Sequence, residues 1–205
     1  MPWWGVVSSV LAPVFLIGGW MTAAALQPVP FDSVTRSISA LATQGMPYRW
    51  LITFSLLGVG ACHAVTGLAL RPVAEAGRIM LIFGGVSGML IAAYPQHAHS
   101  GSPVHEIFSV TGVLLMMLWP VAGMRTDCGA PAALRPLAAW AYGLLTLGLL
   151  LWFLTQLFGG DVLGLAERAI TADQSLWPLV VVLSVLVTQR RPVAAIAQTA
   201  ALKSR

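Results

Sequence analysis

Three of the four histidines, His97, His99 and His105, stand within nine residues of one another, in the stretch Tyr94-Pro95-Gln96-His97-Ala98-His99-Ser100-Gly101-Ser102-Pro103-Val104-His105-Glu106. Neutral imidazole is a common ligand for zinc-like metals, and the same ring is a general acid or base near neutral pH. The alternation of His97 and His99 fits a metal-binding loop that His105 or Glu106 would complete from the mouth of the following helix. No HExxH or paired CxxC accompanies them. Histidines in a polar surface loop are equally readable as solvated side chains or as caps on neighbouring carbonyls. His105 is the better candidate for proton chemistry, because it stands where the loop enters an apolar run.

The second focus is Asp32, in Pro28-Val29-Pro30-Phe31-Asp32-Ser33-Val34-Thr35-Arg36-Ser37-Ile38-Ser39-Ala40-Leu41. A carboxylate at the edge of hydrocarbon loses hydration and is driven toward its neutral form, unless a partner such as Arg36 or a ring of helix N–H groups holds it charged. Protonated, it is an acid; ionised, it binds a cation or orients a histidine. The competing reading makes Asp32 an N-cap with a structural link to Arg36. Asp32, His105 and Glu106 are accordingly the candidate catalytic residues.

These groups belong to a chain of 205 residues that is 58% hydrophobic and only 9% charged, with a mean hydropathy of +0.82. A water-soluble domain carries roughly 25% charged residues, so most of this surface faces something other than water. Disordered, collagenous and disulfide-stapled classes are excluded by the high apolar content, the absence of a three-residue glycine period and the presence of only Cys62 and Cys128. The pattern predicts an all-α polytopic bundle of six transmembrane helices, over residues 4–26, 50–70, 78–94, 105–124, 136–158 and 170–189. The short third run contains Gly84, Gly85 and Gly88, small residues that let a neighbour approach closely, which places it at the centre of the bundle. No Lys or Arg precedes the first run, so it is expected to remain as a membrane helix.

Counting Lys and Arg by alternate loops puts eight on one side (71, 78, 125, 135, 190, 191, 203, 205) and three on the other (Arg36, Arg49, Arg168). That asymmetry predicts both termini in the cytoplasm of a cell with the chain in its inner (plasma) membrane, and it explains the pI near 9.7 without a nucleic-acid partner. The acids Asp32, Glu106, Asp161, Glu167 and Asp173 then fall outside. Both cysteines are expected as free thiols. Residues 33–43 carry Val34, Ile38 and Leu41 on one helical face and read as a short interfacial helix in the first loop; Leu163–Ile170 reads as a second such helix or as an outward extension of the sixth run. Residues 1–191 form the membrane domain, and residues 192–205 an amphipathic cytoplasmic tail.

Asp32, the Arg36-Ser37-Ile38-Ser39-Ala40-Leu41 segment, the Gly-rich third run ending in Tyr94-Pro95 and the later His105 together resemble an uncharacterised prokaryotic membrane family, the domain of unknown function numbered 998. The likeness covers about residues 5–190. Where that family's loop would carry a second His or an Asp nearer the later His, this chain has Gly101 and Ser102. The resemblance implies a six-helix fold and no particular activity.

Eight tryptophans complete the inventory, most of them near the ends of runs. Indole rings settle at the headgroup level, which explains a belt. They also stabilise cations through their faces, so Trp20, Trp50, Trp119, Trp152 and Trp177, with Tyr94 and Arg36, are candidate substrate-binding residues around an apolar cavity. Three functions follow. The favoured one is an intramembrane enzyme acting on a lipid or prenyl substrate by acid/base chemistry, in the manner of a membrane-bound terpene cyclase or of a metal-assisted hydrolase using His97, His99 and His105. The second is a proton-coupled transporter with His63 on its path. The third is a non-enzymatic membrane partner protein. A divalent metal is the cofactor these residues could hold; haem is not expected, and a homo-oligomer is allowed.

Overall fold

The computed structural model describes residues 1–96 and 102–203, with side chains as far as residue 190. Within them the chain forms α1 (Trp3–Ala25), α2 (Ile38–Ala42), α3 (Arg49–Ala69), α4 (Glu75–Ala93), α5 (Pro103–Ala122), a 3-10 turn (Ala132–Leu134), α6 (Pro136–Leu157) and α7 (Leu163–Lys203). Six helices are long and apolar enough to cross a bilayer, namely α1, α3, α4, α5, α6 and the 163–190 part of α7. The protein is a multi-pass, all-helical membrane protein. The termini of α1 and α7 share one end of the bundle, the terminal end; α2 and the start of α7 lie at the opposite, far end.

Five spans fall within a few residues of their expected limits. The sixth begins at Leu163 rather than 170, so Glu167, Arg168 and Asp173 are helical and inside the bundle, not loop charges. Local chemistry accounts for the early start. Gly159, at φ +126°, adopts the left-handed conformation that stops α6, and the Gln156 side-chain oxygen then accepts from Val162 N at 3.1 Å to open α7.

Helix α4 packs between α3 and α5, and α3, which meets α1 and α4 most extensively, is the most buried span. Helix α4 approaches α3 at backbone distance: a Cβ on Gly60 would lie 2.5 Å from the Gly85 carbonyl oxygen, and a Cβ on Gly85 would strike the Gly60 carbonyl in return. The glycines of the third run therefore give the close approach they predict, but not the central position expected of it, because the strong contacts of α4 are with α3 and α5 alone. Two apolar clusters fill the interior. One, toward the far end, joins Leu16 and Trp20 of α1 to Ile52 and Val59 of α3 and to Ile38 and Leu41 of α2. The other, toward the terminal end, joins Leu81, Met116 and Trp119 to Val181, Val182 and Val185 of α7. Helix α6 is peripheral, touching α7 and α5, and most of its surface is left for lipid.

Candidate functional site

Asp32 does not reach His105. Its carboxylate closes the turn that leads into α2, accepting from Val34 N at 2.9 Å, Thr35 N at 3.4 Å and the Thr35 hydroxyl at 2.9 Å. The Val34 amide first, and then the Thr35 hydroxyl, hold this carboxyl below its ordinary value of 3.8. Asp32 is exposed, and Arg36 lays its guanidinium over the Phe31 ring at 4.4 Å rather than pairing with it. The expected helix over 33–43 shortens to α2, and its N-cap is Ser37, whose Oγ accepts from Ala40 N at 3.0 Å. Val34 is exposed, whereas Ile38 and Leu41 drop into the far-end cluster and anchor α2.

The side chains that do meet are His105, Ser39 and Glu167. Ser102 caps α5 by accepting from His105 N at 3.3 Å, with Pro103 at the first helical position, and this sets the imidazole at the bundle rim, 2% exposed. His105 Nδ1 lies 3.0 Å from the Tyr94 carbonyl oxygen at the end of α4. A carbonyl only accepts, so Nδ1 carries a hydrogen and the neutral ring presents its Nε2 lone pair on the other side. Facing Nε2 at 3.4 Å is the Ser39 hydroxyl, which also lies 3.4 Å from Glu167 Oε1. Glu167 Oε2 accepts from Ile38 N at 2.5 Å. One hydroxyl proton thus stands between a base and a carboxylate, each fixed from behind by backbone.

Arg168 builds the wall beside them. Its Nη1 donates to the carbonyl oxygens of Ser33 at 2.8 Å, Arg36 at 2.9 Å and Gly164 at 2.9 Å, and its guanidinium lies over Trp20 at 5.9 Å. Gly164 is required here, because any Cβ would strike the Arg36 carbonyl. Arg168 is a positioning residue that fixes the turn delivering Ser39.

The other expected residues scatter. Glu106 points outward from α5. Tyr94 contributes through its carbonyl, while its ring is 49% exposed against Phe108. Trp50 is exposed and edge-on to Phe54, Trp152 is half-buried on α6, and Trp119 is fully buried in the terminal-end cluster. The aromatic residues therefore do not line one cavity. Exposed Trp3 and Trp140 near the terminal end and Trp50 near the far end have the distribution of a belt. His97 and His99 lie outside the described residues. Among the described residues no three of His, Cys, Asp and Glu gather as a metal cage. Cys62 and Cys128 are both free thiols.

A second polar cluster sits deeper. Asp173 is ten residues into α7, roughly 15 Å below its start and so near the middle of a hydrocarbon core about 30 Å thick. Thr146 of α6 holds its carboxyl at 2.8 Å, and Trp177 stacks on Tyr142 with ring centroids 4.3 Å apart. Sequence reasoning missed Ser39, Glu167, Arg168 and Asp173. Ser39 was visible in the Ser-Ile-Ser segment, but a serine without a nucleophile motif gives no signal; Glu167 and Arg168 were hidden by starting the sixth span seven residues late, and Asp173, inside that span, by being counted with the outer charges.

The fold and site define a six-span membrane protein with a histidine–hydroxyl–carboxylate centre at one rim. The chain belongs to the family described as "Protein of unknown function (DUF998)", whose model matches residues 10–184. No curated protein and no solved structure matches it.

Proposed function

We propose that the protein is an intramembrane enzyme acting on a lipid by acid/base chemistry at the far rim, with Ser39 as the reacting hydroxyl and His105 as its base. The observation that supports it is the Ser39 hydroxyl between His105 Nε2 and Glu167 Oε1, with His105 Nδ1 committed to the Tyr94 carbonyl. A nucleophile beside a base that a third group orients is the arrangement that activates a weak oxygen nucleophile, and such contacts are commonly loose in the absence of substrate. The position at the rim suits an ester bond at headgroup depth. In that reaction Ser39 Oγ attacks the ester carbonyl carbon while its proton passes to His105 Nε2. The carbon–oxygen bond breaks, and the leaving alcohol takes the proton from His105. Water repeats the sequence and releases the acid.

The eight-to-three distribution of basic residues supports termini in the cytoplasm of a cell's inner membrane, which puts the rim and its lipid substrate on the outer side. Exposed Cys128 on the terminal-end connection would then react with an impermeant maleimide only after the cells are opened. A fluorophosphonate probe tests the chemistry, since it esterifies activated serines and releases fluoride. Intact protein in lipid nanodiscs should gain one adduct, mapped by mass spectrometry to Ser39 and lost in Ser39→Ala. A chain that hydrolyses no phospholipid ester and takes no adduct at Ser39 is not this enzyme.

A further inference from the structure

The groove between α6 and α7 has no part in the rim chemistry, yet it is built around a carboxyl at mid-bilayer depth. Its volume is about 420 Å³, within the range of small-molecule sites, and its walls include Tyr142, Leu145, Asp173, Leu176, Trp177 and Val180. Leu145, Leu176 and Val180 are 56%, 42% and 42% exposed, so the groove opens toward lipid. Two observations single it out from an ordinary apolar face. First, Tyr142 is 3% exposed with its hydroxyl beside the Asp173 carboxyl and Thr146, yet neither that hydroxyl nor Trp177 Nε1 makes a well-formed hydrogen bond among the described residues. A buried donor without an acceptor is costly, and a site that leaves two of them beside a carboxyl is incomplete without a ligand. Second, the Thr146 hydroxyl has one hydrogen and two acceptors in range, the Tyr142 carbonyl at 3.0 Å and Asp173 Oδ2 at 2.8 Å. Both contacts are satisfied at once when the Asp173 carboxyl carries its own proton and donates to Thr146 Oγ1.

We propose that this groove binds a bilayer-dissolved molecule with a long apolar chain and a single hydroxyl or carbonyl oxygen, a prenyl or long-chain alcohol being the simplest case. The chain lies along Leu145, Leu176 and Val180, and small side-chain shifts turn the Tyr142 hydroxyl or Trp177 Nε1, both closed off behind the groove wall, toward the oxygen. The proposal is independent of Ser39.

The hydrophobic carbodiimide dicyclohexylcarbodiimide reads it directly, because it modifies protonated carboxyls reached from lipid. In nanodiscs, Asp173 should be labelled, as mapped by mass spectrometry. Farnesol should slow the labelling at least about 5-fold, the worth of one modest hydrogen bond, while squalane, an isoprenoid hydrocarbon without oxygen, should not. Tyr142→Phe and Trp177→Phe should each remove most of the protection, taken as the ratio to that variant's own unprotected labelling rate. The proposal is overturned if Asp173 takes no label, if squalane protects as well as farnesol, or if farnesol fails to protect. It is also overturned if Leu144→Cys crosslinks between copies and dilution of the protein in lipid raises the Asp173 labelling rate, for then a second chain fills the groove. Because the readout is the Asp173 adduct, its failure leaves fluorophosphonate labelling of Ser39 untouched, and the reverse also holds.

Discussion

Helix α7 supplies a carboxylate to two places, and they solve the same problem differently. At the rim, Glu167 is surrounded by polar backbone: the Ile38 amide and the Ser39 hydroxyl meet its two oxygens, and the neighbouring Arg168 spends one nitrogen on three carbonyls. Six residues further on, Asp173 has one hydroxyl partner and otherwise an apolar groove. The difference follows from depth. Only where loops and helix ends gather can backbone groups left over by secondary structure pair with buried charge; along the middle of a helix those groups are used up internally. Both sites keep spare donors, Nε and Nη2 of Arg168 at the rim and the Tyr142 hydroxyl and Trp177 Nε1 at the groove, but only the rim carboxylate is met on both oxygens, by the Ile38 amide and the Ser39 hydroxyl.

That contrast can be broken or sharpened by four measurements, taken from the largest expected effect downward. Replacing the base with His105→Ala should slow fluorophosphonate labelling of Ser39 by roughly 10²-fold or more, the usual worth of a positioned general base. An unchanged labelling rate in a folded variant would reduce His105 to a structural cap. Next, Arg168→Met takes away the donor that ties the part-buried Ser33 and Arg36 carbonyls to α7 and should lower stability by about 2 kcal/mol. The loss is measurable as a drop in thermal midpoint in detergent, with new protease cleavage in residues 27–48 showing that α2 has detached. By contrast, Asp173→Leu should change stability by no more than about 1 kcal/mol, because Thr146 keeps the Tyr142 carbonyl and a leucine of similar size replaces the carboxyl on the lipid-facing wall. A collapse of Asp173→Leu comparable to that of Arg168→Met would make the groove a structural joint like the rim. The smallest effect belongs to Asp32→Asn. The folded-state pKa of Asp32 is depressed, so its contribution is present above 3.8 and lost as pH falls through the lower folded value. Wild type should exceed the variant slightly in thermal midpoint at pH 6, and the gap should close progressively as pH is lowered below 3.8; a gap that widens in acid contradicts the turn described for Asp32.

Much of this architecture was legible beforehand because a bilayer imposes a simple requirement on the chain. Twenty-residue apolar runs must become helices, so the spans, the close approach of α4 at its glycines and the free thiols could be read from residue types alone, whereas the place of α4 between α3 and α5 could not. The site was legible only in part. His105 stood out as an ionisable group entering an apolar run, and the segment around Ser39 was prominent, but nothing in their spacing linked residues 66 positions apart. Asp32 and Glu106 drew notice for the same reason as His105 and proved to face outward, since a short-range pattern says where a charge sits along the chain and not which way its helix is turned.

Composition and hydropathy by themselves determined that this is a six-span helical membrane protein, because burial of backbone hydrogen bonds in lipid leaves no other solution for such runs. Tertiary structure alone decided that Glu167 belongs with Ser39 and His105, and that Asp173 belongs with Thr146, Tyr142 and Trp177. The reason is rotational: which face of each rod meets which neighbour depends on packing between small residues and on where α7 begins, and a shift of one residue along α7 turns each carboxylate by about 100°.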